Sequence, residues 1–411
     1  MSSFLASQVR SDIPLLRREV HERPIVYLDT AATALTPRIV IESMQRYYET
    51  YHSNVHRAVY VTAAEATEAF EDARVAVGKF IGAPHPADEL IFTHGTTEAF
   101  NLLAKSWGKA NLTANDAIVL TEMEHHANLV PWFQLRDEIG FEIRFLRVTD
   151  DFRLDLSNLD ELLRGAKLLS VTGMSNVLGT INPIVELADR AHAAGALIAV
   201  DGAQSVAHGV TNVAELNVDF FAFGAHKMLG PTGIGALWVR RELLNAMPAF
   251  MGGGGMIADV SLDGFSAANG LSKYEAGTPP IAEAVGFHTA AHYLESLGME
   301  AIAAHEHALT ATLLDRLATH FPERIRVIGP KVMTMRGSVV SFDVDGVHPH
   351  DVAQVLDQYG VCIRPGHHCA KPLMKRFSLA ATARASFGPY SDESDIETLI
   401  TALDDAVRLF G

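Results

Sequence analysis

The feature that most constrains this chain is a series of short apolar runs that do not alternate. They fall at Ile25–Leu28, Leu90–Phe92, Ala117–Leu120, Ile143–Val148, Leu168–Thr172, Leu197–Val200, Phe220–Phe223 and Ala236–Val239. A strand with one wet face alternates apolar and polar residues; several of these runs do not, which suits strands buried on both faces. Helical spacing lies between many of them. Phe100, Leu103, Ala104 and Trp107 follow a Gly-Thr-Thr-Glu turn at i, i+3, i+4 and i+7, and Leu187, Ala188 and Ala191 repeat the pattern after Pro183. This alternation predicts an α/β domain with a mainly parallel sheet covered by helices.

The pattern changes near residue 280. A long helical stretch carries Phe287, Ala290, Ala291, Leu294 and Leu297 on one face. A strand follows at Ser338–Val344, a helix from Asp351, a strand around Val361–Arg364, and a closing helix with Ile396, Leu399, Ile400, Leu403 and Val407. We read a large α/β domain over residues 24–282 and a smaller α+β domain from 1–23 together with 283–411. The 411 residues are 48% apolar and 20% charged, as in soluble globular proteins, which excludes disordered, collagen-like and coiled-coil classes. A net charge of −16 disfavours nucleic acid and anionic membrane as partners. No apolar run approaches the roughly 18 residues of a membrane span. Two cysteines, seven positions apart, do not make a disulfide scaffold, and the first twenty residues lack a basic-then-apolar targeting pattern. A cytoplasmic protein is expected.

Ligands of open α/β sheets bind at the carboxyl ends of strands. Polar residues gather at such ends here. Asp201 ends LIAVDGAQ, Lys227 follows FFAFGAH, Asn176 follows LLSVTGMS, His125 follows AIVLTEME, and Thr96 and Thr97 stand between a strand and a helix. Each has an ordinary reading: Lys227 as a solvated strand end, Asp201 as a helix cap, His125 as a core or surface histidine. As an ordered set they suggest a pyridoxal phosphate site. The lysine amine would form a Schiff base with the aldehyde, the aspartate would keep the pyridine nitrogen protonated, and a phosphate would sit at the helix that Thr96 opens.

The motifs YLDTAAT, GTTEAFNLL, EHHANLVPW, MSNVLGT, VDGAQ, HKMLGPTGIG, YEAGTPP, RPGHHCAKP and RASFGPY occur in that order over nearly the whole chain. Together they resemble the group II cysteine desulfurases, which are fold-type I pyridoxal-phosphate enzymes. The run GGGGMIADVSLDGF and the ending ASFGPY are most similar to the cysteine desulfurase/cysteine sulfinate desulfinase branch, with the Suf-type desulfurases nearly as close. The resemblance implies that Lys227 is the Schiff-base lysine and that Asp201 pairs with the pyridine nitrogen. It also implies that His125 stacks on the ring and that Asn176 and Gln204 contact its phenolic oxygen. Thr96, Thr97 and His226 would hold the phosphate, and Thr278 would reach the phosphate of a second subunit, which implies a homodimer. Arg384 would bind the substrate carboxylate as a bidentate fork. Arg364, His56 and Arg57 would line the pocket, and Cys369 would be the nucleophile. Implied with these roles are L-cysteine as substrate, with selenocysteine and cysteine sulfinate as further candidates, L-alanine as product, and a sulfur-acceptor protein as partner.

Some positions depart from the family. Gly224 stands where a serine usually precedes the lysine motif, which removes one phosphate hydroxyl. Thr30 replaces the usual asparagine of its motif. Ala58 and Tyr60 differ from the Suf branch.

Cys369 lies in a loop shaped by glycine and prolines, and nearby Arg364, His367, His368 and Lys371 would favour its thiolate. Adjacent His367, His368 and Cys369 rarely converge on one metal, so no metal site is expected. Cys362, in an apolar strand, reads as structural. An aminotransferase or kynureninase-like enzyme would share Lys227 and Asp201 but would need no cysteine on a basic loop. A non-catalytic scaffold that binds pyridoxal phosphate and a sulfur-transfer partner is a further alternative, against which the intact Lys227, Asp201 and Cys369 argue.

Overall fold

A computed structural model describes residues 6–57 and 59–410; Ala58 lies outside the described residues. The apolar runs after residue 89 form one seven-stranded sheet. Its strands are β1 (Leu90–Thr93), β2 (Ala117–Thr121), β3 (Glu142–Leu146), β4 (Ala166–Thr172), β5 (Leu197–Asp201), β6 (Phe220–Gly224) and β7 (Gly235–Val239), in the spatial order β1-β7-β6-β5-β4-β2-β3. Only β7 runs against its neighbours. β1, β2, β6 and β7 are buried along their whole length. That is why their sequences do not alternate.

Two apolar layers cover the sheet. One includes Phe70, Val200, Phe221, Phe223 and Phe287; the other includes Phe100, Leu103, Trp132, Phe220 and Leu237. Each fully buried Phe or Leu contributes roughly 1.5–3 kcal/mol to folding, so the strand order is strongly specified. The helical stretch after residue 280 is two helices, Ile281–Leu297 and Met299–His320, broken at Gly298, whose φ of 84° disfavours any other residue.

The C-terminal part forms a four-stranded antiparallel sheet in the order Ile325–Ile328, Val339–Val344, Thr382–Ser386, Arg364–Gly366. Helices Pro349–Asp357 and Glu393–Phe410 pack with it around Phe342, Val352, Leu356, Leu399 and Leu403. The run at 25–28 does not join the large sheet. Val26 and Tyr27 pair in parallel with Val361 and Cys362, and Val26 and Leu28 sit in the core of the C-terminal sheet. Asp29 continues this contact by bridging to Ser386. The chain therefore crosses from one sheet to the other at residues 29–34, directly over the carboxyl ends of β5 and β6. No helix among the described residues is long and apolar enough to cross a membrane.

Candidate active site

The parallel strands deliver their terminal residues to one cavity of about 430 Å3. Its lining includes Thr96, Thr97, His125, Asn176, Asp201, Gln204, His226, Lys227, Arg364, Cys369 and Arg384. Asp201 is the last residue of β5, and Lys227 closes a short turn just after β6. Thr96 begins the helix Thr96–Leu103, and Gly95, with φ of 140°, makes the sharp entry that a side chain would resist.

Shielding from water dominates the electrostatics. It pushes the Lys227 amine down to about 8, partly opposed by the charge of Asp201. It raises the Asp201 carboxyl, against the Ala203 N–H donated to its Oδ1 at 3.0 Å and the charge of Lys227. His125 is pushed down to about 3 by burial, then by the charge of Lys227, so its ring is neutral. Its Nδ1 accepts the Ala127 N–H at 3.1 Å, which leaves the proton on Nε2. His226 is held near 4 by burial and then by Lys227.

Arg384 comes from the middle of the buried strand Thr382–Ser386 and is 2% exposed. Its Nη1 donates to Asn176 O at 2.9 Å and its Nη2 to Asp29 Oδ1 at 3.1 Å. Burial lowers its pKa, while Asp29 opposes the change. Arg364 donates to both oxygens of Asp29, from Nε to each and from Nη2 to Oδ2, and this pairing raises its pKa.

The cysteine loop is held from the large sheet. His126 N–H donates to Cys369 O at 2.8 Å, Asn176 Nδ2 to His368 O at 2.7 Å, and Lys371 N–H to His126 Nε2 at 3.1 Å. His368 and Cys369 have φ of 50° and 56°, left-handed values that cost a non-glycine residue about 1–2 kcal/mol each. These bonds fix a strained turn that presents the exposed Cys369 to the cavity.

Two expectations need correction. His368 does not supply positive charge to Cys369: its ring is buried against the Thr382 hydroxyl, and burial pushes its pKa down to about 2. The Nδ1 of His367 accepts the Cys369 N–H at 3.2 Å. The cations whose charge couples to the thiol are Lys227, Arg364 and Arg384. His56 and Arg57 do not line this cavity, and Thr278, expected to reach a second subunit, lies with them. They line a second one of about 480 Å3, where His56 bonds Glu71 and Arg74 bonds both Glu71 and Glu275.

Two residues of the recognisable motifs acquire positions that the sequence reading did not assign. Asp29 joins the two arginines. Glu124 is fully buried and accepts from Thr121 Oγ1, Asn128 Nδ2 and Thr172 N, the last being the register partner of Asp201. Both stand in quoted motifs, YLDTAAT and EHHANLVPW, which was the available signal. Among the described residues no group of three His, Cys, Asp or Glu side chains is arranged to hold a metal.

The residues present fit pyridoxal phosphate. A shielded lysine and a buried acid face one cavity, one Asp201 oxygen is engaged by Ala203 while the carboxylate lines the cavity, and Gln204 Oε1 is buried with no partner. A parallel sheet with such a lysine and acid at its carboxyl edge defines a fold-type I pyridoxal-phosphate enzyme. The chain belongs to the aminotransferase class-V family, whose model matches residues 26–399. It is 47% identical over 409 residues to a probable cysteine desulfurase of Streptomyces coelicolor, covering 98% of this chain and 97% of that protein. It is 45% identical over 415 residues to a cysteine desulfurase of Haloferax volcanii, with coverage of 98% and 97%. Among solved structures it is similar to the cysteine desulfurase CsdA of Escherichia coli, with a TM-score of 0.92, 36% identity and full coverage of both chains. The apo cysteine desulfurase of Thermococcus onnurineus gives 0.93, 39% identity and 98% coverage of each chain.

Proposed function

We propose that this protein is a pyridoxal-phosphate-dependent cysteine desulfurase that converts L-cysteine to L-alanine and keeps the sulfur as a persulfide on Cys369 for an acceptor protein. The observation that carries this reading is the exposed thiol of Cys369 on a loop clamped over the cavity that holds Lys227 and Asp201. An aminotransferase has no use for such a thiol.

Bound there, pyridoxal phosphate supplies an aldehyde for amines and a conjugated ring that accepts negative charge from the substrate Cα. Lys227 would hold the cofactor, Asp201 would pair with its ring nitrogen, and the neutral His125 would cover the ring. Asn176 and Gln204 would contact the phenolic oxygen. Thr96, Thr97 and His226 would take the phosphate. Arg384, with Arg364 beside it, receives the substrate carboxylate. The Lys227 amine, held near 8, is partly unprotonated near neutral pH and takes the Cα proton. The Cys369 thiolate attacks the substrate sulfur. An S–S bond forms, the Cβ–S bond breaks with its electron pair left on Cβ, and a proton on Cβ together with one returned to Cα completes alanine. Cysteine plus thiol thus gives alanine plus persulfide, with no outside oxidant.

In this proposal two copies form a homodimer, and Thr278, His56 and Arg57 serve the partner's site, which accounts for their place on a separate, exposed wall. The two-part division belongs to the same proposal, with its expected boundaries of 24–282 and 1–23 with 283–411 moved by the packing: residues 25–28 join the C-terminal part, and the helix Ile281–Leu297 packs with the large one. A reducing cytoplasm suits a thiol that must stay free. Selenocysteine and cysteine sulfinate remain candidate substrates. The test is alanine and sulfide formation from L-cysteine with a thiol reductant, for wild type and Cys369→Ser in parallel. Both products are expected from wild type alone. Sulfide from Cys369→Ser at the wild-type rate overturns the role of this thiol, and a keto acid in place of alanine overturns the reaction.

A further inference from the structure

We infer that Asp29 is a specificity-determining residue: by taking up one of the two positive charges at the carboxylate end of the cavity, it favours substrates with a single anionic group over those with two. This rests on the desulfurase reading above. The Asp29 carboxylate accepts from Arg364 Nε at 3.0 Å and Nη2 at 2.9 Å, and from Arg384 Nη2 at 3.1 Å. Both arginines line the cavity, whereas Asp29 stands behind them and is not part of the lining.

Asp29 is fixed in this place. Its carbonyl accepts the Ala32 N–H at 3.0 Å, its strand bridges to Ser386, and Leu28 O accepts the Ser386 N–H at 2.8 Å. One carboxylate between two guanidinium groups leaves one uncompensated positive charge at this end of the cavity, while Lys227 and Asp201, of opposite sign, face each other at the other end. The neighbouring histidines add none, since burial keeps His125 and His368 neutral. One positive charge balances the α-carboxylate of cysteine. A substrate with a further anion on its side chain, such as cysteine sulfinate, brings a second negative charge that no remaining cation at this end of the cavity balances.

Replacing Asp29 by a neutral residue has two effects. The arginines lose an anchor, which weakens the grip on the α-carboxylate of every substrate alike. The cavity also gains a positive charge, which helps only the substrate with the second anion. The ratio of kcat/KM for cysteine sulfinate over that for L-cysteine cancels the first effect and keeps the second. The sulfinate reaction needs no oxidant: its Cβ–S bond breaks, sulfur dioxide leaves and is hydrated to sulfite, and a proton on Cβ gives alanine.

The experiment measures alanine from both substrates with wild-type, Asp29→Asn and Asp29→Glu holoenzymes, each with its cofactor absorbance recorded. Asp29→Asn should raise the ratio about tenfold, which corresponds to about 1.4 kcal/mol, and Asp29→Glu should leave it within about threefold of wild type. If Asp29→Asn does not fold, Arg364→Gln gives the converse reading: loss of one positive charge should lower the ratio about tenfold. An active wild type with an unchanged ratio in the neutral variant overturns this inference alone. A wild type that forms no alanine from either substrate overturns the desulfurase reading and this inference with it.

Discussion

Replacing His126 by alanine tests how the cysteine loop is held. The Nε2 of His126 accepts the Lys371 N–H at 3.1 Å, while the His126 backbone N–H bonds Cys369 O. Alanine removes the first bond and keeps the second. A hydrogen bond of this kind contributes about 1 kcal/mol net. The loop it closes contains two left-handed non-glycine residues, so the lost bond should release strain rather than be replaced in kind. A loss of about 1 kcal/mol lowers the equilibrium constant for the presenting loop about fivefold. Sulfide release from L-cysteine should fall by up to that factor. Turnover of cysteine sulfinate, whose elimination does not need the thiol, should stay within about twofold. The assay is alanine formation from both substrates, with cofactor absorbance as a check that the site is intact. The wild-type rate should also show its own acid sensitivity. Burial and the nearby His367 lower the pKa of His126, and protonation of Nε2 breaks the bond to Lys371. The gap between wild type and His126→Ala should therefore close as pH falls through that lowered value. An equal fall on both substrates, or none on cysteine, would refute the clamp.

Three further outcomes follow from the geometry. Cys369→Ala should abolish sulfide release from L-cysteine yet retain at least part of the turnover of selenocysteine or cysteine sulfinate; equal loss on all three would sink that division. Gly224 has an extended backbone, and a Cβ built on it lies 3.2 Å from Thr96 Oγ1, beside the proposed phosphate position. Gly224→Ser should lower the Kd for pyridoxal phosphate about threefold to tenfold, as one added hydrogen bond of about 1 kcal/mol allows after some crowding of Thr96; an unchanged Kd in a titration of the apoenzyme counts against it. Burial pushes Glu124 from its ordinary 4.5 to about 8, so the folded chain keeps a proton there that the unfolded chain loses as pH rises through 4.5. Stability then falls by about 1.4 kcal/mol per pH unit up to about 8. In Glu124→Gln this loss is absent, so melting temperatures of variant and wild type should converge or cross between pH 5.5 and 8.5; a constant gap contradicts it.

The large sheet was legible because its strands are buried on both faces and carry the apolar residues that announce it. The strand that presents Arg384 was not. Its sequence, TARAS, has no large apolar residue, yet all five positions are buried at the centre of the C-terminal sheet, where close packing favours small side chains. The hairpin Ile257–Ser261 with Gly264–Ala267 was missed for the opposite reason: it is largely exposed, and Val260, Leu262 and Phe265 face outward. Ile25–Leu28 looked like a strand of the large sheet because apolar content does not say which sheet a run joins; Leu28 is buried in the C-terminal core instead. The positions of Lys227, Asp201, His125 and Arg384 around one cavity follow from strand ends and motif order. The ties made by Asp29 and His126, and that of Glu124 to Thr172, depend on long-range side-chain geometry that no local pattern encodes. The charge attributed to His368 failed for the same reason, since its burial against Thr382 comes from a residue fourteen positions away.

The most direct measurement of the central claim is the mass of the Cys369 peptide after the holoenzyme has reacted with one equivalent of L-cysteine without reductant. The account predicts one extra sulfur atom on that peptide, alanine in equal amount, and no added sulfur on the peptide of Cys362, whose thiol is part-buried and raised in pKa by burial. Alanine formed with Cys369 unmodified, or sulfur carried by Cys362, would contradict it.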